Sequence, residues 1–190
     1  MVLLENASVV EWSITTDCKS VALGLRRFES FPAHKMKNVL FLFGGKSNEH
    51  EISVVSASNV FKNFPRDEYN PLPVYIDRDG NWYKAKMVIN EFSSKEDEVV
   101  KVFTEPCTIG KLHDQTFLMN ENNEKFNLDI IYPIVHGFQG EDGVLQGMAR
   151  TFGIPFAGPS METAFITFDK DITKLLVARS GVGWHLGKCG

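Results

Sequence analysis

The residues best suited to chemistry fall in three short segments, each beside a glycine turn or a helix start. The first is Gly44-Gly45-Lys46-Ser47-Asn48-Glu49-His50-Glu51-Ile52-Ser53. A glycine pair permits a tight turn and close approach of the backbone to a ligand. A helix beginning just after it offers unpaired N–H groups and a positive dipole end to anions. Glu49 and Glu51 have two readings here: acids that stabilise a helix start by roughly 0.3–1 kcal/mol, or carboxylates of a binding site. His50 reads as a surface or helix-start residue. The segment fits neither G-x-x-x-x-G-K-[ST] nor G-x-G-x-x-G, so neither named phosphate loop applies.

The second segment is His136-Gly137-Phe138-Gln139-Gly140-Glu141-Asp142-Gly143. A titratable donor beside helix-start amides can bind a carboxylate; the alternative for His136 is a strand-end imidazole bonded to a carbonyl. Glu141 and Asp142 read as cap and first-turn acids. The third is Phe168-Asp169-Lys170-Asp171-Ile172-Thr173-Lys174, with Lys170 and Lys174 one turn apart on a helix face. Such lysines are either a phosphate contact or a solvated face.

These segments need elements to hold them. Asn38–Phe43 is a continuous apolar run ended by glycines, the pattern of a buried parallel strand. Ser47 or Asn48 can cap a following helix, in which Ile52, Val55, Ala57, Val60 and Phe61 recur at helical spacing until Pro65. Tyr69–Ile76 is a second strand, followed by a turn at Asp77–Gly80. Residues 81–128 read as an insertion with short strands or one helix. Asp129–Val135 is a third strand, Gly143–Phe152 a helix, Ile154–Ala157 a short fourth strand and Asp169–Arg179 a last helix. This alternation predicts an α/β fold, a parallel open sheet with flanking helices, Rossmann-like in kind. In open sheets of that kind ligands bind beyond the carboxyl ends of the strands, where both glycine loops fall.

Composition narrows the function classes. Apolar residues make up 43% and charged residues 23%, ordinary for a globular protein, and the net charge of −4 argues against a nucleic-acid partner. The longest apolar runs, such as Val39–Phe43 and Ile130–Val135, are far short of a membrane span. Cys18, Cys107 and Cys189 are odd in number and far apart, which suggests free thiols in a reducing cytoplasm. Residues 1–35 carry no clear period and no secretory signal. Phe28-Glu29-Ser30 and Asp17-Cys18-Lys19-Ser20 can be back-translated to transfer-RNA-like sequence. The segment is therefore expected to be a non-native or disordered extension ahead of a natural start at Met36.

In order, the segments GGKSNEHEIS, HGFQGEDGVLQG, GIPFAG and DK resemble the D-alanine–D-alanine ligase family over about residues 36–182. That family carries G-G-x-S-x-E-x-E-x-S, H-G-x-x-G-E-D-G-x-x-Q-G, G-[IL]-P-[FY]-x-G and D-K. The resemblance implies an ATP-grasp enzyme, with residues 36–160 as its amino-terminal, pre-ATP-grasp substrate domain and 161–190 as the start of the central domain. It implies that ATP phosphorylates the carboxylate of one D-alanine and that the amine of a second attacks the acyl phosphate, for peptidoglycan precursor synthesis. It assigns Glu49 to the ammonium of the first D-alanine, His136 and Gly137 to the same site, Ser53 to an assisting role, and Lys170 to ATP. Glu49 and His136 are the residues it makes catalytic. It further implies Mg2+, a cytoplasmic enzyme without membrane or nucleic-acid partner, and a homodimer for the full-length family. Other readings are a non-catalytic small-ligand-binding domain and another ATP-grasp carboxylate–amine ligase.

Three departures from the family pattern bear on activity. Phe168 stands where methionine is usual, the segment after Val182 lacks the family's proline-containing continuation, and the sequence ends at Gly190. The family's Mg2+-binding carboxylates and oxyanion-binding arginine are not matched, and phosphoryl transfer relies on such groups. The expectation is an incomplete, inactive fragment. ADP release by the 190-residue chain with ATP, Mg2+ and D-alanine should stay at background; D-alanine-dependent turnover abolished by Glu49→Gln would overturn this.

Overall fold

The computed structural model describes residues 36–181. The expectation for residues 1–35 lies outside that range, as does the segment after Val182. The chain runs β1 (Lys37–Gly44), α1 (His50–Lys62), β2 (Tyr69–Ile76), β3 (Trp82–Ala85), α2 (Glu96–Val102), β4 (Phe103–Leu112), β5 (Gln115–Asn120), β6 (Lys125–Asn127), β7 (Ile130–Pro133), α3 (Val144–Phe152), α4 (Met161–Phe168) and α5 (Lys170–Arg179).

The centre of the sheet follows from the apolar run of β1. Successive strand side chains face opposite ways. Leu40 and Leu42 therefore pack on one face with Leu145 and Ala149 of α3. Phe41 and Phe43 pack on the other with Val54, Ala57 and Phe61 of α1 and Val99 of α2. A strand covered on both faces cannot alternate apolar with polar residues, and this one does not. β1 pairs in parallel with β2 on one side and β7 on the other.

The sheet has seven strands in the order β6-β5-β4-β3-β2-β1-β7. The expected parallel open sheet is present as its β2-β1-β7 part. Beyond β2, every pairing from β3 to β6 is antiparallel, so the whole sheet is mixed. Residues 81–128 supply that extension. The short connections Asp77–Asn81 and His113-Asp114 leave no room for a crossover helix, so β3 folds back on β2 and β5 on β4, while the longer β3–β4 connection carries α2. The expected fourth strand, Ile154–Ala157, is a single parallel bridge between Ile131 and Phe156. A helix not anticipated from sequence, α4, begins at Ser160, whose hydroxyl accepts the Thr163 N–H.

In α1 the buried face is His50, Ser53, Val54, Ala57 and Phe61. Ile52 and Val55, expected to face inward, are 57% and 45% exposed. Two polar residues displace them because the helix start meets strand ends whose backbone groups need partners. Ser53 Oγ accepts the Gly44 N–H at 2.8 Å and donates to the Ile134 carbonyl at 2.7 Å. Ser53→Ala would take the partner from both groups, the Gly44 N–H being buried and the Ile134 carbonyl part-buried. It is expected to destabilise the domain by about 2 kcal/mol, with an unchanged urea m-value, in equilibrium unfolding.

Candidate active site

Two loops leave the carboxyl ends of β1 and β7 side by side. In the first, Gly44 and Gly45 take φ of 89° and 104°, and the Gly45 N–H donates to the Ile76 carbonyl at 2.8 Å. A Cβ on Gly44 would collide with that same carbonyl, so the close approach that requires glycine is to β2. Ser47 then ties the loops together. Its hydroxyl donates to the His136 carbonyl at 2.7 Å and accepts the Glu49 N–H at 3.1 Å. Glu49 is the N-cap of α1, and its side chain caps nothing. Its carboxyl carbon lies 3.7 Å from where a Cβ on Gly137 would stand, beside the second loop.

The loops border a cleft of about 930 Å³ whose polar lining includes Glu49, His136, Glu141, Gln146 and Lys170. Three of the residues singled out from sequence, Glu49, His136 and Lys170, are thus brought together. Lys170 reaches the cleft because Asp169 ends α4 and starts α5, accepting the N–H groups of Asp171 and Ile172 at 2.9 and 3.0 Å. The other two are not among the residues lining that cleft. Ser53 is fully buried, with its hydroxyl spent on Gly44 and Ile134. Gly137 gives its N–H to Glu141 Oε2 at 3.0 Å, and its carbonyl accepts the Gly140 and Glu141 amides, so it serves the loop itself.

Glu141 Oε1 lies 3.7 Å from His136 Nδ1, and His136 Nε2 is buried without a hydrogen-bond partner among the described residues. Glu141 was expected to be a capping acid. Capping falls instead to Asp142, which accepts the Gln139 and Val144 N–H groups at 2.8 and 3.1 Å. Glu141 is left to the loop and the imidazole. Sequence reasoning missed Glu141 and Gln146 as cleft residues. The signal for Gln146 was a polar residue set between Leu145 and Ala149 on the buried face of a short helix.

His50 is a helix-start residue, as expected, but fully buried. Its Nδ1 lies 2.6 Å from the Gly45 carbonyl and its Nε2 3.0 Å from the Tyr75 hydroxyl and 3.3 Å from Glu96 Oε1. Arg78 closes the set with bonds of 3.1 and 2.8 Å to the two Glu96 oxygens and 3.0 Å to Glu51. The Arg78 guanidinium holds the Glu96 carboxyl below its ordinary value despite partial burial. Burial, with Glu96 beside it, pushes the Tyr75 hydroxyl up.

Fold and site together define an open α/β domain that presents a small-ligand cleft at the carboxyl ends of parallel strands. Residues 38–159 match the family model described as D-ala D-ala ligase N-terminus. The chain belongs to that family. It is 40% identical over 150 residues to the D-alanine–D-alanine ligase of Oceanobacillus iheyensis, covering 77% of this chain and 41% of that protein. It is 36% identical over 149 residues to the ligase of Chlorobium phaeobacteroides, covering 76% and 41%. Among solved structures it is similar to VanG D-Ala:D-Ser ligase from Enterococcus faecalis, with a TM-score of 0.66 at 29% identity, covering 77% of this chain and 43% of that one. The D-alanine–D-alanine ligase from Coxiella burnetii gives 0.65 at 27%, covering 78% and 44%. The chain thus spans about two fifths of the length of these relatives.

The lowered Glu96 carboxyl has a stability consequence. A carboxyl held below its unfolded value of 4.5 adds stability that is complete above 4.5 and lost as pH falls through the lowered folded value. Glu96→Gln should therefore be less stable than the parent at neutral pH and lose stability less steeply on acidification below 4.5, as followed by urea unfolding.

Proposed function

We propose that this chain forms the first-substrate side of an ATP-dependent D-alanine–D-alanine ligase. Glu49 holds the ammonium of the first D-alanine, His136 stands in the same site beside Glu141, and Lys170 contacts the phosphates of ATP. A carboxylate for an ammonium and a lysine for phosphate are chemically apt partners. The single observation that carries the reading is that Glu49, His136 and Lys170 line one cleft. The reaction joins two D-alanines through an acyl phosphate, and this chain's own residues bind and orient the amino acid whose carboxylate is phosphorylated. Ser53 and Gly137 support the loops that carry Glu49 and His136. Among the described residues no group of three or more His, Cys, Asp or Glu is placed to hold a metal ion.

Residues 36–160 are the substrate domain in this proposal and those from 161 onward begin the ATP-grasp portion; the family match over 38–159 supports that boundary. The described helices include none long and apolar enough to cross a membrane, and burial pushes the Cys107 thiol up to about 12 and so keeps it protonated. In this reading the full-length enzyme serves peptidoglycan precursor synthesis in the cytoplasm, as a homodimer. Calorimetric titration of the chain with D-alanine tests the assignment. Glu49→Gln removes the ionised acceptor and should weaken binding roughly tenfold or more. Unchanged affinity in that variant would remove Glu49 from the site.

A further inference from the structure

We infer that His50 and Glu96 are positioning residues of this cleft: Glu96, at the start of α2, holds the His50 ring against the Gly45 carbonyl and so fixes the turn that carries Glu49. The inference rests on the cleft being an amino-acid site, and it brings a residue of the 81–128 insertion into that site's support.

The turn after β1 needs a hold from outside itself. Gly44 and Gly45 both have positive φ, and glycine backbone has many competing conformations. Their N–H groups are held by Ser53 Oγ and the Ile76 carbonyl. The peptide that leads from Gly45 to Lys46 is a separate plane. Its carbonyl lies 2.6 Å from His50 Nδ1 and meets no other donor among the described residues. A carbonyl only accepts, so Nδ1 carries the proton. Rotation of that plane would redirect the chain toward Ser47 and Glu49 while β1 stayed in place.

The His50 ring is itself held from its far side. It is fully buried, and its Nε2 lies 3.0 Å from the Tyr75 hydroxyl and 3.3 Å from Glu96 Oε1. Turning the ring over about its Cβ–Cγ bond would put carbon atoms against both Gly45 and Glu96. The partner of one ring nitrogen thus decides what the other can do. Glu96 is fixed in turn by Arg78, at 3.1 and 2.8 Å to its two oxygens. A line of contacts therefore runs from Arg78 through Glu96 and His50 to Gly45. It ends four residues before Glu49, in the loop that borders the cleft.

The test uses the 190-residue chain, with D-alanine titrated by calorimetry and thermal unfolding followed without ligand. Asparagine can carry an amide nitrogen where His50 has Nδ1, and glutamine where His50 has Nε2. His50→Gln loses the donor to Gly45 and should bind D-alanine roughly tenfold more weakly. His50→Asn keeps that donor and should stay within about threefold of the parent affinity. Glu96→Gln should weaken binding about threefold in the parent and leave it unchanged in the His50→Asn background, where the ring it holds is gone. Val99, fully buried in α2, supplies the control. Val99→Ala should lower the unfolding temperature without changing the affinity. Affinity that falls in step with unfolding temperature across all these forms, Val99→Ala included, would overturn the inference in favour of a general loosening of the fold. Parent-like binding by His50→Gln would also overturn it, as would equal losses in His50→Gln and His50→Asn. So would a Glu96→Gln loss of the same size with and without His50→Asn. If His50→Gln does not fold, the partly exposed Glu96 decides, and parent-like binding by Glu96→Gln overturns the inference. If Glu49→Gln weakens binding while His50→Gln and Glu96→Gln do not, the amino-acid site stands and only this support falls. If the parent takes up no D-alanine, both fall.

Discussion

Three side chains at the start of α1 capture three backbone carbonyls, and the geometry of the cleft depends on that capture. Ser53 reaches Ile134, His50 reaches Gly45, and Ser47 reaches His136. These carbonyls lie at or just past the carboxyl ends of β1 and β7, where the ladder no longer supplies partners. A helix that satisfies them is bolted to both strands at once. The distance between the Glu49 loop and the His136 loop is then set by hydrogen bonds of 2.6–2.7 Å rather than by loose loop packing. The Gly44 N–H on Ser53 and the Gly45 N–H on Ile76 complete the joint.

Charge is sorted by the same helix start. Residues two apart on a helix are rotated by about 200°, so Glu49 and Glu51 diverge. Glu51 and Glu96 share Arg78 on the outer side, which leaves no cation of that cluster for Glu49. Glu49 forms no salt bridge among the described residues and stands at the cleft. On the other loop Asp142 takes the capping work at the start of α3, and Glu141 is free to meet His136. In each pair one acid is spent on the scaffold alone, while the other, Glu49 or Glu141, lines the cleft, Glu141 with one oxygen on the Gly137 N–H.

Much of the fold was legible because its central strands obey simple rules. The apolar run of β1 ended by two glycines, the proline-marked end of α1 and the bounds of β2 all follow from local composition. The mixed outer sheet was not legible. Residues 103–127 carry charged and polar positions throughout, as strands with one solvated side do, and their pairing depends on neighbours distant in sequence. Lys84 and Glu105, both largely buried as an ion pair between β3 and β4, read in isolation as surface residues. The inner face of α1 was misassigned for a related reason: hydrophobicity alone favours Ile52 and Val55, whereas unpaired strand-end groups favour His50 and Ser53.

The sequence by itself determined the family, the parallel core and the residue types of the cleft, because glycine turns, apolar strands and ordered motifs are local properties. Tertiary structure alone decided which polar residues face the cavity. Ser53 and Gly137, plausible ligands by motif, have their polar groups consumed inside the scaffold. Glu141 and Gln146, which local grammar reads as a capping acid and a helix polar residue, line the cleft. The physical reason is that a hydrogen bond can be spent only once. Whether a donor or acceptor is left for a ligand depends on every group the fold brings within reach, and spacing along the chain does not record that.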